Sequence, residues 1–238
     1  MQPEGWCVKV RIRVKAVMKD FLKVVVLAGV VAMASVSQAT TNTWDGGGGD
    51  DYWQTDANWV GDAKPSANDV LVFSGTTRTS TSNDFPANTQ FDGIQFPNTA
   101  EGQEFSLAGN GINLLGDITN SAAVTNITDT IALDMQIISG NSTFHLDTNH
   151  NLSVSGSISD DTGGRYVYQL GPGSLMLTAS NSLSTLSIGR LFYLDGGGRL
   201  TVNGGSVIIS DDHALGNDGF RLEGGGTLSL AADGMTIP

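Results

Sequence analysis

Residues 171–233 read GPGSLMLTASNSLSTLSIGRLFYLDGGGRLTVNGGSVIISDDHALGNDGFRLEGGGTLSLAAD, and this stretch decides the fold. Short segments that alternate apolar and polar residues (SLMLT, RLTV, SVIIS, FRL and TLSL) are separated by clusters of Gly, Asn and Asp. LDGGGRLTV returns as LEGGGTLSL 28 residues later, from Gly196 to Gly224. Similarity at a fixed spacing predicts stacked coils, each hydrogen-bonded to the next.

The same kind of signal extends upstream through residues 104–158, in EFSL, INLLGDI, TIALDMQII, STFHL and LSVSGSI. Several short strands at regular spacing indicate an all-β protein but do not separate a solenoid from a sandwich. The 31 Gly residues favour many tight corners, because only Gly takes a positive φ without steric cost. We therefore predict an all-β protein built of stacked coils, a β-helix, with an antiparallel β-sandwich as the alternative.

Two strands are predicted before that region. VLVF at residues 70–73 is the first well-buried strand expected. FDGIQF at residues 91–96 is expected to be one strand, with Phe91, Gly93 and Gln95 on one face and Asp92, Ile94 and Phe96 on the other. No amphipathic helix pattern longer than two turns follows residue 40.

Three tryptophans mark residues 40–75 as a local module. Trp44, Trp53 and Trp59 fall close together in TTNTWDGGGGDDYWQTDANW. Large aromatic side chains are costly to leave exposed, so we expect them to form an N-terminal cap over the open end of the β core. The alternative is a carbohydrate platform, in which the same rings stack on sugar faces.

Residues 1–39 resemble a leader for export. MKDFLK from Met18 gives a basic start, residues 24–33 are apolar, and Ser37-Gln38-Ala39 has the small-x-small form of a cleavage site. The apolar run is too short for a permanent membrane span, which needs about 20 residues. We expect cleavage after Ala39, a secreted or outer-surface location, and Met18 rather than Met1 as the start.

Charge argues against nucleic acid as a partner. Six of the 12 Lys and Arg and two of the 24 Asp and Glu lie in residues 1–39, which leaves 6 basic and 22 acidic residues and a net charge of −16. Such a surface repels phosphate. The single cysteine, Cys7, also lies in residues 1–39, so neither disulfides nor a thiol nucleophile are expected afterwards.

The sequence offers no strong catalytic or metal-binding motif. Asp160-Asp161 and Asp211-Asp212 are adjacent pairs, and neighbours on a strand point to opposite faces, so neither is a ready acid/base dyad. His145 and His150 span a corner, and with His213 they lack further zinc ligands. No metal, cofactor or catalytic residue is predicted; structural calcium on the many corner oxygens remains the alternative.

The repeat itself resembles the autotransporter-associated β-strand repeat. Gly171, Gly173, Leu175 and Leu177 match its G-x-G-x-L-x-L segment, Ala214-Leu215-Gly216 its A-L-G corner, and residues 226–230 its G-G-T-L-x-L strand. The residues SNSLSTLSIG replace the family's N-T-Y-T-G-like corner. The resemblance implies a right-handed parallel β-helix at or outside a bacterial surface.

Together these observations predict a leader in residues 1–39, a cap in residues 40–75 and a β-helix in residues 76–238 that is incomplete at its C-terminal end. The expected function is a non-catalytic, exported scaffold of structural or adhesion type, with carbohydrate or cell-surface partners. The alternatives are a carbohydrate-active β-helix enzyme and a carbohydrate-binding module. An enzyme would bring carboxylates of successive coils together in a groove, whereas a scaffold would disperse them.

Overall fold

The fold is described from a computed structural model of the chain. The structure describes residues 39–97, 103–121, 127–148, 150–161, 165, 167–179, 181, 200–203, 206–209, 220–223 and 227–230. These residues belong to one compact unit that begins at Ala39. The predicted leader therefore lies almost wholly outside the described residues. So do the A-L-G corner, the SNSLSTLSIG segment, His213 and Asp211-Asp212.

The described residues form β-strands and one short 3-10 turn, Asp56–Asn58. The strands are β1 Thr41–Trp44, β2 Val70–Phe73, β3 Ser80–Asn83, β4 Thr89–Phe91, β5 Gly93–Phe96, β6 Ser106–Gly109, β7 Ile112–Leu114, β8 Ile118–Asn120, β9 Ile127–Ile131, β10 Met135–Ile137, β11 Ser142–Leu146, β12 His150–Val154, β13 Ile158–Asp160, β14 Val167–Leu170, β15 Ser174–Leu177, β16 Leu200–Asn203, β17 Ser206–Ile209, β18 Phe220–Glu223 and β19 Thr227–Leu230.

These strands make three parallel sheets. Sheet A has the order β1-β2-β5-β8-β11-β14-β16-β18, sheet B runs β19-β17-β15-β12-β9-β6-β3, and sheet C runs β13-β10-β7-β4. Because neighbours in each sheet are successive turns of the chain and not successive strands, the fold is a β-solenoid. The prediction of an all-β parallel β-helix is confirmed, and the antiparallel sandwich is wrong.

The core consists of side chains that stack from one coil to the next. In sheet A, Leu71 lies opposite Ile94, Ile94 opposite Ile118, and Ile118 opposite Phe144, and all four are fully buried. The strands alternate buried and more exposed residues, as β9 does in ITDTI. The apolar inward positions form columns that continue from coil to coil, interrupted by buried polar residues such as Asp129, and burial of apolar area at roughly 25 cal/mol per Å² stabilises the stack.

The prediction of one strand across residues 91–96 is wrong. Phe91 ends β4 in sheet C and Gly93 begins β5 in sheet A, so the chain turns a corner at Asp92. Phe91, Ile94 and Phe96 are all fully buried, which a single alternating strand would not allow. The corner breaks the alternation of inward and outward side chains, so Phe91 and Phe96 both point into the core.

Glycine at the corners permits close contact between successive coils. Gly116 lies against the carbonyl of Asp92, and a Cβ at this position would overlap that oxygen. Gly171 lies against the carbonyl of Leu146 in the same way, and its φ is 89°. Corners that stack on the corner beneath thus require glycine for space as well as for conformation.

The segment before β2, residues 39–69, lies against β2, β3 and β4, one strand in each sheet; we call it the cap segment. Its β1 pairs with β2 in sheet A. Tyr52 bridges Ser82 of β3 in sheet B, and the Asn68 N–H donates to the Gln90 carbonyl of β4 in sheet C at 2.8 Å. Exposed sheet edges invite pairing with other chains, and this segment occupies all three.

Candidate functional site

The tryptophan cluster lies inside the cap segment. Trp44, Trp53 and Trp59 are 0% exposed. Trp44 and Trp59 meet edge to face with ring centroids 5.3 Å apart, and all three rings pack around Phe73 of β2. A sugar needs an exposed ring face to stack on. None of these rings has one, so the structure places the cluster in the core as a plug at the end of the solenoid.

Two of the indole N–H groups are satisfied within the cap segment and the strand beside it. Trp53 Nε1 donates to Thr81 Oγ1 at 2.9 Å, and Trp59 Nε1 donates to the carbonyl of Trp53 at 2.7 Å. Trp44 Nε1 is buried without a partner among the described residues. The plug is therefore fixed by directional bonds at Trp53 and Trp59 and by packing alone at Trp44.

The glycine-rich loop beside the plug is held by its own polar residues. The buried amide of Asn58 accepts the Gly48 N–H at 2.9 Å and donates to the carbonyl of Asp50 at 3.0 Å. The hydroxyl of Thr55 and the N–H of Tyr52 donate to Asp50 and lower the pKa of its carboxyl. These bonds explain the loop as a structural element of the cap segment.

Carboxylates outside the cap segment also bind the backbone of other coils. Asp117 Oδ1 accepts the Thr143 N–H and Asp134 Oδ1 accepts the Ser157 N–H, each at 2.7 Å. Asp129, which is fully buried, accepts the Phe105 N–H at 2.7 Å. These carboxylates occupy different sheets and corners and do not meet in one groove. We call such contacts carboxylate clasps.

The adjacent pair Asp160-Asp161 is divided between a strand and a loop. Asp160 ends β13, and Asp161 forms a salt bridge with Arg165 in the following loop. The hydrogen bond to Asp161 raises the pKa of Arg165. The pair therefore contributes to a loop contact.

The two described histidines lie in different sheets. His145 of β11 is half exposed, with Nε2 3.4 Å from Asp147 Oδ1. His150 of β12 is buried, and neither ring nitrogen has a hydrogen-bond partner among the described residues. The corner between them was predicted from their spacing. Across the described ranges, no three His, Cys, Asp or Glu side chains are grouped so that they could hold a metal ion.

The outer surface of sheet B has a composition that the sequence reading missed. One column of outward positions runs in register through Ser106, Thr130, Ser153 and Met176 of β6, β9, β12 and β15. A second column runs through Thr128, Asn151 and Ser174. These seven positions are uncharged in a strongly acidic chain, and the second column ends at Glu104, whose Oε1 accepts the Thr128 N–H at 3.1 Å; we call the two columns the neutral face. The signal was the absence of charge at the outward positions of ITDTI, NLSV and SLML.

The outer surface of sheet A differs. Its column through Gln95, Thr119 and His145 includes a titratable side chain within the column itself. The described part of the chain contains no helix with the length and hydropathy needed to cross a bilayer.

Comparison of the chain with family models, with curated proteins and with solved structures gave no match.

Proposed function

We propose that the chain is an exported, non-catalytic scaffold of structural or adhesion type, related to the autotransporter-associated β-strand repeat proteins. The leader-like residues 1–39, which end in the small-x-small pattern Ser37-Gln38-Ala39, and the repeat pattern from Gly171 support this proposal. So does the solenoid fold, which is suited to presenting a long repetitive surface. Asp117, Asp129 and Asp134 bind backbone N–H groups of other coils at separate places in the fold, an arrangement that favours a scaffold over a carbohydrate-active enzyme.

The neutral face is the observation that carries the adhesion role. Neighbouring strands of a sheet lie about 4.8 Å apart, so its hydroxyl groups repeat regularly along the solenoid. Hydroxyl groups both donate and accept hydrogen bonds, and they match a ligand that also presents repeated hydroxyl groups. The uncharged columns favour a neutral partner, because an acidic polymer would be repelled by residues 40–238, whose net charge is −16. The partner class we propose is a neutral polysaccharide at a cell surface.

Binding to insoluble polysaccharide tests this role. The purified chain from residue 40 is expected to co-sediment with particles of a neutral glucan and not with an anionic glucan of the same backbone. Thr130→Lys places a cation in the centre of the neutral face and is expected to reduce binding at least about tenfold, a change worth about 1.4 kcal/mol.

The matched control is Thr119→Lys, which adds the same charge to the outer surface of sheet A, where Thr119 is half-buried in β8. This variant is expected to bind as the parent does. Equal loss in the two variants would contradict a role for the neutral face, and failure of the parent to bind any neutral polysaccharide would contradict the partner class. Circular dichroism establishes that both variants are folded.

A further inference from the structure

Asp69 is a buried carboxylate beside the first residues of the described chain. It is 5% exposed. Its Oδ1 accepts the Thr40 N–H at 3.0 Å and the Thr40 hydroxyl at 2.7 Å. Its Oδ2 accepts the Ser66 N–H at 2.7 Å and an Asn42 amide N–H at 3.2 Å. All four donors are neutral, and no Lys, Arg or His among the described residues forms an ion pair with Asp69.

A buried charge without a counter-ion is costly, even when it is hydrogen-bonded. The nitrogen of Thr40 is the group that can supply the missing charge. In the uncut chain it is an amide of the Ala39–Thr40 peptide bond and donates as a neutral N–H. If that bond is hydrolysed, the same nitrogen becomes an α-amine, which is protonated at neutral pH because its ordinary pKa is about 7.7 to 8.0.

We propose that removal of the leader after Ala39 completes an ion pair between the new α-ammonium of Thr40 and the buried carboxylate of Asp69. The reaction is a hydrolysis by a leader peptidase: the oxygen of one water adds to the Ala39 carbonyl carbon, the C–N bond breaks, the leader departs with Ala39 as a carboxylate, and the two protons of that water convert the Thr40 N–H into –NH3⁺. Cleavage at this bond would thus be a modification that stabilises the product. The inference rests on the proposed export of the chain.

Several features of the site fit this step. Ala39 and Thr40 are both exposed, so the bond is accessible. The carbonyl of Thr40 accepts the Val70 N–H at 2.8 Å, which holds the residue beside β2. The ammonium would therefore form where the N–H already points, without rearrangement. Charge-assisted hydrogen bonds are about twice as strong as neutral ones. The pair would fasten β1, which carries Trp44 into the plug.

Thermal unfolding of two chains that differ by one residue tests the ion pair. One chain begins at Thr40 with a free amine. The other begins at Ala39, so it has its ammonium one residue away while Thr40 keeps its neutral N–H. The Thr40 chain is expected to melt higher by roughly 3 °C or more. Introducing Asp69→Asn into both chains is expected to remove the difference. An equal Tm for the two parents, or a difference that persists between the two Asp69→Asn variants, would overturn the pair.

A second measurement does not depend on the folding of the Asp69 variants. The rate of reaction of the α-amine with an amine-reactive ester is compared in the two parent chains, with Lys64, the one lysine after residue 39, as the internal reference. An amine held by a carboxylate reacts more slowly, so the Thr40 chain is expected to be labelled several-fold more slowly than the Ala39 chain. Equal rates would also overturn the pair.

The export step is tested separately. The complete sequence is expressed in a bacterium, and the N-terminus of the protein recovered from the envelope or medium is determined by mass spectrometry. Thr40 is expected as the first residue. An uncut chain would overturn the proposed export and processing, whatever the purified chains show, and a different first residue would overturn the cleavage site. Thr40 at the N-terminus without a difference in Tm would leave export supported and overturn only the ion pair.

Discussion

Trp44, Trp53 and Trp59 are equally buried but differ in the bonds of their indole nitrogens. Trp53 and Trp59 donate to nearby oxygens, whereas Trp44 Nε1 has no partner among the described residues. A buried donor without an acceptor costs about 1 to 3 kcal/mol, and a satisfied one contributes modestly. Trp53 and Trp59 are therefore expected to contribute more to the stability of the plug than Trp44, although the three rings have the same size.

Substitution by Phe is expected to separate the two kinds of tryptophan. Trp59→Phe removes the donor to the Trp53 carbonyl, while Trp44→Phe removes an N–H that bonds to nothing described. We expect Trp59→Phe to lower the free energy of unfolding by about 1 to 3 kcal/mol more than Trp44→Phe does. Urea denaturation measures both, and the opposite order would contradict this account of the plug.

Gly171 and Gly140 separate two reasons for glycine at a corner: the lack of room for a Cβ and the positive φ of the backbone. Both have a positive φ, 89° and 54°, so Ala is strained at either position. A Cβ at Gly171 would overlap the Leu146 carbonyl, whereas a Cβ at Gly140 meets nothing within 4 Å. Gly171→Ala is expected to lower the free energy of unfolding by about 1 to 3 kcal/mol more than Gly140→Ala. Equal effects in chemical denaturation would mean that conformation alone matters.

Individual elements are joined by the carboxylate clasps as well as by the strand ladders. Asp134 precedes β10 and accepts both the N–H and the hydroxyl of Ser157, which precedes β13. The clasp thus reaches from one coil to the next at the corner where β10 and β13 begin, beside the backbone bond from the Met135 N–H to the Ser157 carbonyl. The role requires an acceptor oxygen and not a charge.

Two substitutions at Asp134 distinguish these requirements. Asp134→Ala removes the acceptor and is expected to lower the free energy of unfolding by about 1 to 2 kcal/mol. Asp134→Asn retains an acceptor oxygen and is expected to lower it by less than half as much. Thermal and urea unfolding of the two variants give the comparison. If Asn is as damaging as Ala, the negative charge and not the hydrogen bond is the stabilising feature.

Features that depend on neighbouring residues could be predicted from the sequence, and features that depend on residues far apart in the sequence could not. Burial of Val70–Phe73 and the parallel solenoid were predicted because alternation and repetition are local signals. The corner at Asp92 was missed, since a corner inside a short alternating run leaves the composition unchanged. The contact between Asp69 and Thr40 was missed as well, because the two residues are 29 positions apart in the sequence. The neutral face emerges only when register aligns the strands.

At the scale of the whole molecule, the cap segment has a protective role. Residues 39–69 lie against three strands: β2 in sheet A, which pairs with β1, β3 in sheet B and β4 in sheet C. A chain beginning at residue 70 would present these three edges together with uncovered aromatic residues such as Phe73. Both are features that promote association between chains.

Deletion of residues 39–69 is therefore expected to convert a dispersed protein into an aggregating one. Size-exclusion chromatography with light scattering compares the deleted chain with one that begins at residue 39, at equal concentration. The longer chain is the control, because it has the same downstream coils. Aggregation of both chains to the same extent, or of neither, would contradict a protective role for the cap segment.

Coverage of all three sheets at one end also gives the stack a direction. In the folded chain each strand is paired with the strand of the preceding coil, and the cap segment, with its fully buried rings, is the surface against which the first coil packs. Because each coil contacts only its neighbours, pairing that starts at this end can proceed coil by coil, with each completed coil acting as the template for the next. Assembly of the solenoid would in this way resemble the elongation of a filament from a fixed seed, contained within a single polypeptide.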